Sequence, residues 1–232
     1  MVSNSGSGNF KCLHCSRLCV KAGKTAHGEQ GYRCDACFKY QKASYKYLAW
    51  KPEINRWLVG LVKENCGIEG IKRLLHISKS TILRRIKIIS NLVQKPIPIF
   101  GHIYEVDELR TYVGNRNKPV WIAYALDRET RLVVDLRVGS RTKRTLEGLV
   151  QTLIYAQAKQ IYTDGLDIYR YLIPKEIHKV TRFGTNRIER KNLDLRTHLK
   201  RLNRRSTSFS RSLAMLRASL RVYFWGDIPI TP

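Results

Sequence analysis

The sequence predicts an α/β protein in which a mixed sheet with flanking helices follows a small cysteine-rich unit and a helical segment. Two Cys-x-x-Cys pairs stand near the N-terminus, and apolar residues then recur at helical spacing from Ile54 to Ile89. Short runs rich in β-branched residues begin at Ile103 and are followed by further helical periodicity. Each of these three parts has a composition of its own, which indicates separate structural units.

Composition and charge restrict the partners of the chain. Its 232 residues are 43% hydrophobic, which is ordinary for a packed globular protein. Lys and Arg number 43 against 18 Asp and Glu, a formal net charge of +25, so a polyanion such as DNA, RNA or a membrane surface is the expected partner. No run approaches the roughly 20 apolar residues that span a bilayer. We therefore expect a cytoplasmic, nucleoid-associated protein whose six cysteines form no disulfide framework.

The paired cysteines predict a zinc ribbon over residues 10–50, after a disordered N-terminus at 1–9. Each Cys-x-x-Cys knuckle places two thiolates on one tetrahedral ion, and the glycine-rich segment between the knuckles predicts a small hairpin. Two redox pairs would need a surrounding βαβ pattern that is lacking. Cys19 and His14 are near enough to compete as ligands, and Cys66 is interpreted as a small buried residue. The predicted ligands of the one zinc ion are Cys12, Cys15, Cys34 and Cys37.

Residues 51–93 predict a helix-turn-helix domain. A first helix ends near Gly67, a second precedes a turn at residues 76–78, and Ser78 caps a third. The expected apolar positions are Ile54, Trp57, Leu58, Leu61 and Val62 on one buried face of the first helix, Ile71, Leu74 and Leu75 on the second, and Ile82, Ile86 and Ile89 on the third. The third helix would enter the major groove, and the alternative is a three-helix packing element with a solvated basic face. The residues expected at DNA are Lys79, Ser80, Arg84 and Arg85.

Pro96 and Pro98 mark a linker at 94–102, after which the pattern predicts a sheet. Strands are expected at 103–109, 120–127, 132–139 and 160–164, with a helix at 142–158 before the last of them. The order β-β-β-α-β-α is that of a ribonuclease-H-like fold, in which three antiparallel strands precede parallel ones. We assign the domain with this fold, including basic C-terminal helices, to residues 103–225.

Three acids are the candidate catalytic residues of this domain. Asp107 lies in the first strand and Asp164 at the end of the fourth, and these strands are neighbours in such a topology. Glu189 lies near the start of a later helix. Because gathered carboxylates repel one another, a shared pocket requires cations, and two Mg²⁺ or Mn²⁺ ions fit oxygen ligands best.

The helix expected from about residue 186 to 204 supports this interpretation. Beside its buried stripe, Asn192 and Arg196 would share an edge with Glu189, and Arg196 could hold a phosphate. The expected stripe is Ile188, Leu195, Leu199 and Leu202.

Structural alternatives remain open for each acid. Asn186-x-x-Glu189 matches a capping box, Asp164 can be a turn residue, and Asp107 can pair with an arginine. Composition does not rank the other acids in or near the strands, which are Glu105, Glu108, Asp127, Asp135 and Asp167.

The C-terminal region is strongly basic. Fourteen Lys and Arg against three acids lie between Lys175 and Arg221, a local excess of eleven positive charges. Neutralisation of DNA phosphates explains such an excess better than solvation alone. The candidates for DNA contact here are Arg187, Arg190, Lys191, Lys200, Arg204 and Arg205.

Several segments resemble the bacterial insertion-sequence-one transposase family. They are Tyr-Glu-Val-Asp107-Glu, Tyr-Thr-Asp164-Gly-Leu-Asp-Ile-Tyr, Thr-Asn-Arg-Ile-Glu189-Arg-Lys-Asn-Leu-Asp-Leu-Arg196-Thr-His-Leu, the tail Ser206-Thr-Ser-Phe-Ser-Arg and the two Cys-x-x-Cys pairs. The resemblance, from about residue 10 to 224, implies an Asp-Asp-Glu transposase that binds terminal inverted repeats of double-stranded DNA, nicks to expose 3′-hydroxyls and joins them to target DNA. It carries the metal-binding triad onto Asp107, Asp164 and Glu189, and places Arg196 where a basic residue often follows the glutamate.

Two other functions fit parts of the sequence. A structure-specific nuclease or resolvase of the same fold would cut without joining, and flanking terminal repeats would distinguish it. A non-catalytic zinc-ribbon and helix-turn-helix regulator leaves the acids of the sheet unexplained. A transposase must hold two ends at once, so a homodimer or higher oligomer is expected on DNA.

Overall fold

A computed structural model describes residues 10–26, 28–43, 48–51, 53–181, 183–202 and 210–226. The chain divides into two compact units, one through Lys51 and one from Pro52 onward, and each is described by itself. The predicted disordered segment at 1–9 lies outside the described residues.

The first unit is a small antiparallel sheet in the order β1-β2-β3, followed by a short 3-10 turn at Leu48–Trp50. β1 and β2 form the predicted hairpin between the two cysteine knuckles, with Cys19 paired to Cys34. Gly28 has a φ of +77° in the connection between them, a conformation that glycine adopts without steric cost. The strands are β1 Cys19–Lys24, β2 Gln30–Cys34 and β3 Tyr40–Lys42.

Three helices open the second unit: α1 Glu53–Lys63, α2 Ile68–Leu75 and α3 Lys79–Leu92. Ser78 caps α3 as predicted, because its side chain accepts a hydrogen bond from the Thr81 N–H. The expected positions Ile82, Ile86 and Ile89 of α3 are buried, as are Ile71 and Leu75 of α2, whereas Leu74 of α2 is 60% exposed and differs from the expectation.

The predicted buried face of α1 is wrong at Trp57, whose side chain is 56% exposed. The centre of the buried face is the i, i+4 row Ile54, Leu58 and Val62, and Val59 rather than Trp57 lies buried beside that row. Helical periodicity defines the width of an apolar face and leaves open which flanking residue packs against the neighbouring elements.

A mixed five-stranded sheet lies at the centre of the second unit, in the order β6-β5-β4-β7-β8. β4, β5 and β6 are antiparallel, whereas β7 pairs parallel to β4 and β8 parallel to β7. The predicted adjacency of the first and fourth strands of this sheet is thereby confirmed. The strands are β4 Ile103–Tyr112, β5 Pro119–Asp127, β6 Val133–Gly139, β7 Gln160–Tyr162 and β8 His178–Lys179.

Helices flank this sheet. α4 and α5 cover a core that includes Tyr104, Val106 and Ile161, whereas α6 packs on β4 and α7 on β6. The predicted stripe of α6 and the following 3-10 turn is buried throughout, and Arg204 lies outside the described residues. The helices are α4 Lys143–Tyr155, α5 Asp167–Leu172, α6 Asn186–His198 and α7 Leu213–Trp225, with a 3-10 turn at Lys200–Leu202.

α7 joins the sheet to the preceding helices. Arg217 donates two hydrogen bonds to the Val138 carbonyl, and the indole N–H of Trp225 donates to the Val133 carbonyl at 2.7 Å. Arg221 donates to the carbonyls of Ser90 and Val93 at the end of α3. Donors from α7 therefore satisfy backbone acceptors of the edge strand β6.

A buried carboxylate fixes the start of α6. Glu105 of β4 is fully buried, and its Oε2 accepts a hydrogen bond from the Ile188 N–H at 2.8 Å. Its Oε1 accepts one from Nε of Arg128 at 2.7 Å, and Arg128 also donates to the Gly184 carbonyl. Because a helix N-terminus carries unpaired N–H groups and partial positive charge, this carboxylate ties α6 to the centre of the sheet.

We predict that Glu105→Gln lowers the free energy of unfolding by about 3 kcal/mol, because it leaves the Arg128 guanidinium facing an uncharged amide in a buried position. Urea denaturation measures the change. Asp167→Asn is the matched control, since the Asp167 side chain is 80% exposed and its loss should change stability by under about 0.5 kcal/mol. Equal stability changes for the two variants would contradict the anchoring role of Glu105.

Candidate active site

Asp107 and Asp164 come together at one end of the sheet. The parallel pairing of β4 with β7 ends at Glu105 opposite Tyr162, and both aspartates follow that last pair. Oxygen atoms of Asp107, Asp164 and also Glu108 lie within 4.8 Å of one another. We call these three residues the carboxylate cluster.

A chain of hydrogen bonds holds Asp107. Nδ2 of Asn192, from α6, donates to Oδ2 of Asp107 at 2.6 Å. The hydroxyl of the buried Tyr124 donates to Oδ1 of Asn192 at 2.8 Å, which orients the amide toward the aspartate. The Glu108 N–H donates to the other oxygen of Asp107. Asn192 therefore connects α6 to the cluster, and its supporting role in the site stays a prediction.

The cluster is electrostatically unfavourable when it holds no cation. Burial, together with the negative charges of Asp164 and Glu108, raises the pKa of Asp107 to about 6, although the hydrogen bonds that Asp107 accepts oppose this change. Three oxygen donors in so small a volume fit a hard divalent cation, which would offset this repulsion.

Glu189 lies apart from the cluster. It is exposed in the first turn of α6, and its Oε1 accepts a hydrogen bond from the Thr185 hydroxyl at 2.9 Å. Its carboxylate is not among the groups found within 4.8 Å of one another in the described residues. The capping-box alternative differs in detail too, because the N-cap residue is Thr185 and not Asn186. The role of Glu189 stays a prediction.

Glu108 is the member of the cluster that sequence reasoning did not single out. Its side chain is buried and accepts hydrogen bonds from Nε and Nη2 of Arg141 and from the Tyr169 hydroxyl. Burial, followed by the charge of Glu108, raises the pKa of Tyr169 above its usual range. The only signal in the sequence was the adjacency of Glu108 to Asp107, and neighbouring strand residues ordinarily point to opposite faces.

The other acids that composition left unranked have structural partners. Asp127 accepts from Nδ1 of His102 and from N–H groups of the following turn. Asp135 is buried and bonded to Lys95, Arg137 and Thr152. Glu105 anchors α6, and Asp167 is exposed beside Arg170. These acids are therefore occupied elsewhere in the fold.

The predicted DNA-contacting residues of α3 differ in their surroundings. Ser80 and Arg84 are exposed, and Lys79 forms an exposed ion pair with Glu69. Arg85 differs from the expectation of an outward-facing side chain, because it is half-buried and donates to Oδ1 of Asn55 on α1 at 2.7 Å. Its position between α3 and α1 indicates a role in packing the helices.

Basic residues of α6 line a cleft that the sequence did not reveal. Lys191 shares it with Lys63 and His198, beside Tyr223. Burial lowers the pKa of Lys63, Glu64 opposes the change and Lys191 adds to it. The cleft is formed by residues far apart in the chain, so their spacing carried no signal.

The remaining predicted contacts near α6 are of several kinds. Arg187 donates to the Arg128 carbonyl, Arg190 and Lys200 are exposed, and Arg196 is half-buried. Arg204 and Arg205 lie outside the described residues.

The four predicted zinc ligands converge in the first unit. Sγ of Cys12 lies 3.5 Å from that of Cys37, and Sγ of Cys15 lies 3.4 Å from that of Cys34. All four sulfur atoms fall within 4.8 Å of one another, and the His14 N–H donates to Sγ of Cys12. This arrangement fits one tetrahedral zinc ion.

Neither of the competing ligands belongs to this group. Cys19 accepts a hydrogen bond from the buried Gln41 instead, and His14 is exposed. Cys66 is only half-buried, so its interpretation as a buried residue holds in part.

Comparison with known proteins identifies the class. A family model described as IS1 transposase matches residues 102–224, more than half of the chain. The chain belongs to the IS1 transposase family, which accounts for a transposase function and for DNA as a partner. The match covers the sheet and its helices, and the N-terminal part rests on the resemblance of its motifs.

Individual relatives agree with this assignment. The chain is 41% identical over 111 residues to insertion element IS1 protein InsB of Shigella flexneri, covering 48% of this chain and 85% of that protein. It is 40% identical over 109 residues to insertion element IS1 2 protein InsB of Escherichia coli (strain K12), covering 47% of this chain and 65% of that protein. A solved structure of the simian T-cell lymphotropic virus intasome in complex with PP2A regulatory subunit B56 gamma is similar over 70% of this chain and 66% of its own, with 14% identity and a TM-score of 0.37.

Within the described part of the chain, none of the helices has both the length and the apolar composition needed to cross a bilayer.

The raised pKa of Asp107 predicts a pH-dependent response to metal. Without metal, folding favours the protonated carboxyl of Asp107 and so adds to stability at low pH. This contribution is fully present below the unfolded-state pKa of 3.8 and is lost as the pH rises through the folded-state pKa of about 6. A metal ion needs the carboxylate, so Mg²⁺ should raise the melting temperature more at about pH 7.5 than at about pH 5. Thermal melts with and without Mg²⁺ measure the difference.

Asp107→Asn is the control for this measurement and should show no Mg²⁺-induced increase at either pH. An equal increase at both pH values in the unaltered protein would argue against Asp107 as a ligand.

Proposed function

We propose that this protein is an Asp-Asp-Glu transposase that binds the terminal inverted repeats of an insertion sequence, cleaves to expose 3′-hydroxyls and transfers the strands to target DNA. The observation that carries the proposal is the meeting of Asp107 and Asp164 at the end of two neighbouring parallel strands, joined to α6 through Asn192. The strand order and the flanking helices support a ribonuclease-H-like catalytic domain over 103–225.

The donor set supports two Mg²⁺ or Mn²⁺ ions as cofactors. When bound, such a pair activates a water or 3′-hydroxyl on one side of a phosphorus atom and stabilises the leaving oxygen on the other. Asp107 and Asp164 would hold the ions, and Asn192 keeps one oxygen of Asp107 fixed. Asp164 is exposed, so the carboxylate cluster is open to solvent there and DNA would approach it from that side.

Glu189 would complete the metal-binding triad by a side-chain movement. It lies three residues before Asn192 on α6, and residues at this spacing are neighbours on a helix surface. Asn192 already touches Asp107. Among the described residues, the Glu189 side chain accepts one hydrogen bond, from the Thr185 hydroxyl, and this bond is weak compared with metal coordination.

Basic surfaces would hold the DNA. The net charge of +25 favours binding to DNA, whose phosphates it would neutralise. On α3, the exposed Ser80 and Arg84 with Lys79 would contact the major groove as part of a helix-turn-helix at 51–93, and Arg85 would support them from within. Near α6, the contacts would come from Arg187, Arg190, Lys191, Arg196 and Lys200, with Arg204 and Arg205 beyond the described part.

The remaining assignments complete the proposed molecule. The ribbon at 10–50 would hold one zinc ion through its four cysteines and support recognition of the element ends, and 94–102 would link the helices to the catalytic domain. Because two ends must be joined in one event, the active form on DNA would be a homodimer or higher oligomer.

We predict that Asp164→Asn abolishes Mg²⁺-dependent cleavage of a duplex that carries the DNA flanking this gene, and that the variant still binds this duplex. The amide keeps the shape of the side chain but loses the charge that holds metal. Cleavage is followed on a denaturing gel and binding by electrophoretic mobility shift.

Asp167→Asn, in the same segment, is the matched control and should cleave at the normal rate, because Asp167 is exposed and its ion-pair partner among the described residues is the exposed Arg170. An undiminished cleavage rate in Asp164→Asn would remove Asp164 from the active site. Joining of the cleaved 3′-end to a second duplex distinguishes a transposase from a nuclease of the same fold.

We also predict that Cys34→Ser loses one equivalent of zinc and weakens recognition of the element ends, because a serine hydroxyl replaces one of four thiolate ligands. Metal analysis by mass spectrometry and binding to end and random duplexes measure the two effects. Cys66→Ser serves as the control, since Cys66 lies outside the cysteine group. Absence of zinc from the unaltered protein would end this proposal.

A further inference from the structure

We propose that Arg141 binds a phosphate of the DNA strand at the carboxylate cluster, and that Glu108 is the positioning residue that holds Arg141 there. The proposal rests on the transposase function proposed above and adds a substrate-binding residue to it. Arg141 lies in the short turn between β6 and α4, and neither the motifs nor the spacing of the sequence pointed to it.

The location of Arg141 is at the rim of the cluster. Its Nη2 lies 4.0 Å from Oδ2 of Asp164, which is longer than a hydrogen bond. Its Nε and Nη2 donate to one oxygen of Glu108, at 3.2 and 2.8 Å. A single cation thus lies beside Glu108 and beside Asp164, one of the two aspartates that would hold metal.

Two contacts fix the plane of the guanidinium, and a third holds Glu108 in place. Glu108 holds one edge, the ring of Trp121 packs against the group with its centroid 4.4 Å away, and the Tyr169 hydroxyl holds the second oxygen of Glu108. Because an arginine fork held in this way loses little conformational entropy on binding, it is preorganised for a ligand.

The pairing with Glu108 leaves donors of Arg141 available. Only Nε and Nη2 take part in its hydrogen bonds among the described residues, so Nη1 has both of its N–H groups unused. The Arg141 side chain is 31% exposed, whereas that of Glu108 is 1% exposed. The pair is therefore open on the arginine side, where Asp164 also lies.

The ligand that fits these donors is a phosphodiester. A planar guanidinium matches two phosphate oxygens, and a phosphate brought to metals at Asp107 and Asp164 passes the rim where Arg141 lies. A metal ion held by Asp164 would weaken the attraction of this carboxylate for Arg141 and leave the guanidinium available to the phosphate. A positive group at this point would favour the pentacoordinate phosphorus, whose oxygens gain negative charge.

The test compares Arg141→Gln and Arg141→Lys with the control Arg144→Gln, in the full-length protein with Mg²⁺ and a duplex carrying the DNA that flanks this gene. Arg144 is exposed in the first turn of α4, so its loss should leave cleavage within about twofold. Arg141→Gln should lower kcat about 10- to 100-fold, the usual effect of one charge-assisted hydrogen bond in a transition state. Arg141→Lys keeps the positive charge and loses the planar pair of donors, so its kcat should lie between that of Arg141→Gln and that of the unaltered protein.

A second arm identifies the contact itself. Neutral methylphosphonate linkages are placed one at a time around the cleavage site. At the contacted phosphate the unaltered protein should lose rate, and Arg141→Gln should lose no more than about twofold further, because the interaction is already absent. A merely structural role would give the same factor at every linkage and would overturn the proposal.

Glu108 is tested by its metal dependence. Glu108→Gln should reduce cleavage in the same pattern as Arg141→Gln while the half-saturating Mg²⁺ concentration stays within about twofold. An increase of about tenfold or more in that concentration would make Glu108 a metal ligand and overturn its positioning role. If Glu108→Gln melts at a lower temperature, Tyr169→Phe replaces it, because this variant removes only the hydroxyl that supports Glu108. Its cleavage pattern and its half-saturating Mg²⁺ concentration are then judged by the same two criteria.

The two proposals can fail separately. If the unaltered protein shows no Mg²⁺-dependent cleavage, the proposed function falls and the role of Arg141 falls with it. If it cleaves, Asp164→Asn does not, and Arg141→Gln cleaves within twofold of the unaltered rate, only the role of Arg141 is overturned.

Discussion

The burial of Glu105 is the constraint on which the site depends. Its carboxylate is fully buried and is stabilised by hydrogen bonds from the Ile188 N–H of α6 and from Arg128. Because a buried charge is tolerated only with such partners, the start of α6 cannot move away from β4 without a large electrostatic cost. Four residues after Ile188, Asn192 is thereby brought to Asp107. A structural acid two positions before the first candidate ligand thus determines where the amide of the site lies.

The acids of the second unit divide according to how their charge is compensated. Glu105, Asp127 and Asp135 are buried with cationic or N–H partners that belong to the fold. In the carboxylate cluster, Arg141 lies near Glu108 and Asp164, and the pKa of Asp107 is raised to about 6. In a chain of net charge +25, cations were available to pair with every acid. This incomplete compensation distinguishes the carboxylate cluster from the structural ion pairs and makes it the candidate metal site.

The sequence predicted the elements whose patterns are long and repetitive. β4, β5 and β6, the helices α3, α4 and α6 with their apolar stripes, and the convergence of the four cysteines all correspond to the structure. The short elements α5 and β8 were missed, since six and two residues carry no periodicity. Trp57 and Arg85 were placed on the wrong surface because the packing of helix against helix, rather than the helical period, decides the flanking positions.

Some residues of the site could be predicted from the sequence and others could not. Asp107 and Asp164 follow from strand order, because neighbouring parallel strands end at the same edge. Glu108 and Arg141 do not, since their contact joins a strand to a turn 33 positions away and depends on the buried Tyr169 beneath them. The position of the Glu189 carboxylate depends on a side-chain rotamer, which no sequence pattern specifies.

The hydrogen bonds from α7 to β6 have a consequence for how copies of the protein can associate. An exposed edge strand offers carbonyl groups on which another chain can add a strand, and here Arg217 and Trp225 already occupy two of those acceptors. Strand exchange across this border of the sheet is thereby blocked at those positions. Two protomers brought together by DNA would therefore not pair through this part of β6, and β6 would keep its own register while the assembly forms and comes apart.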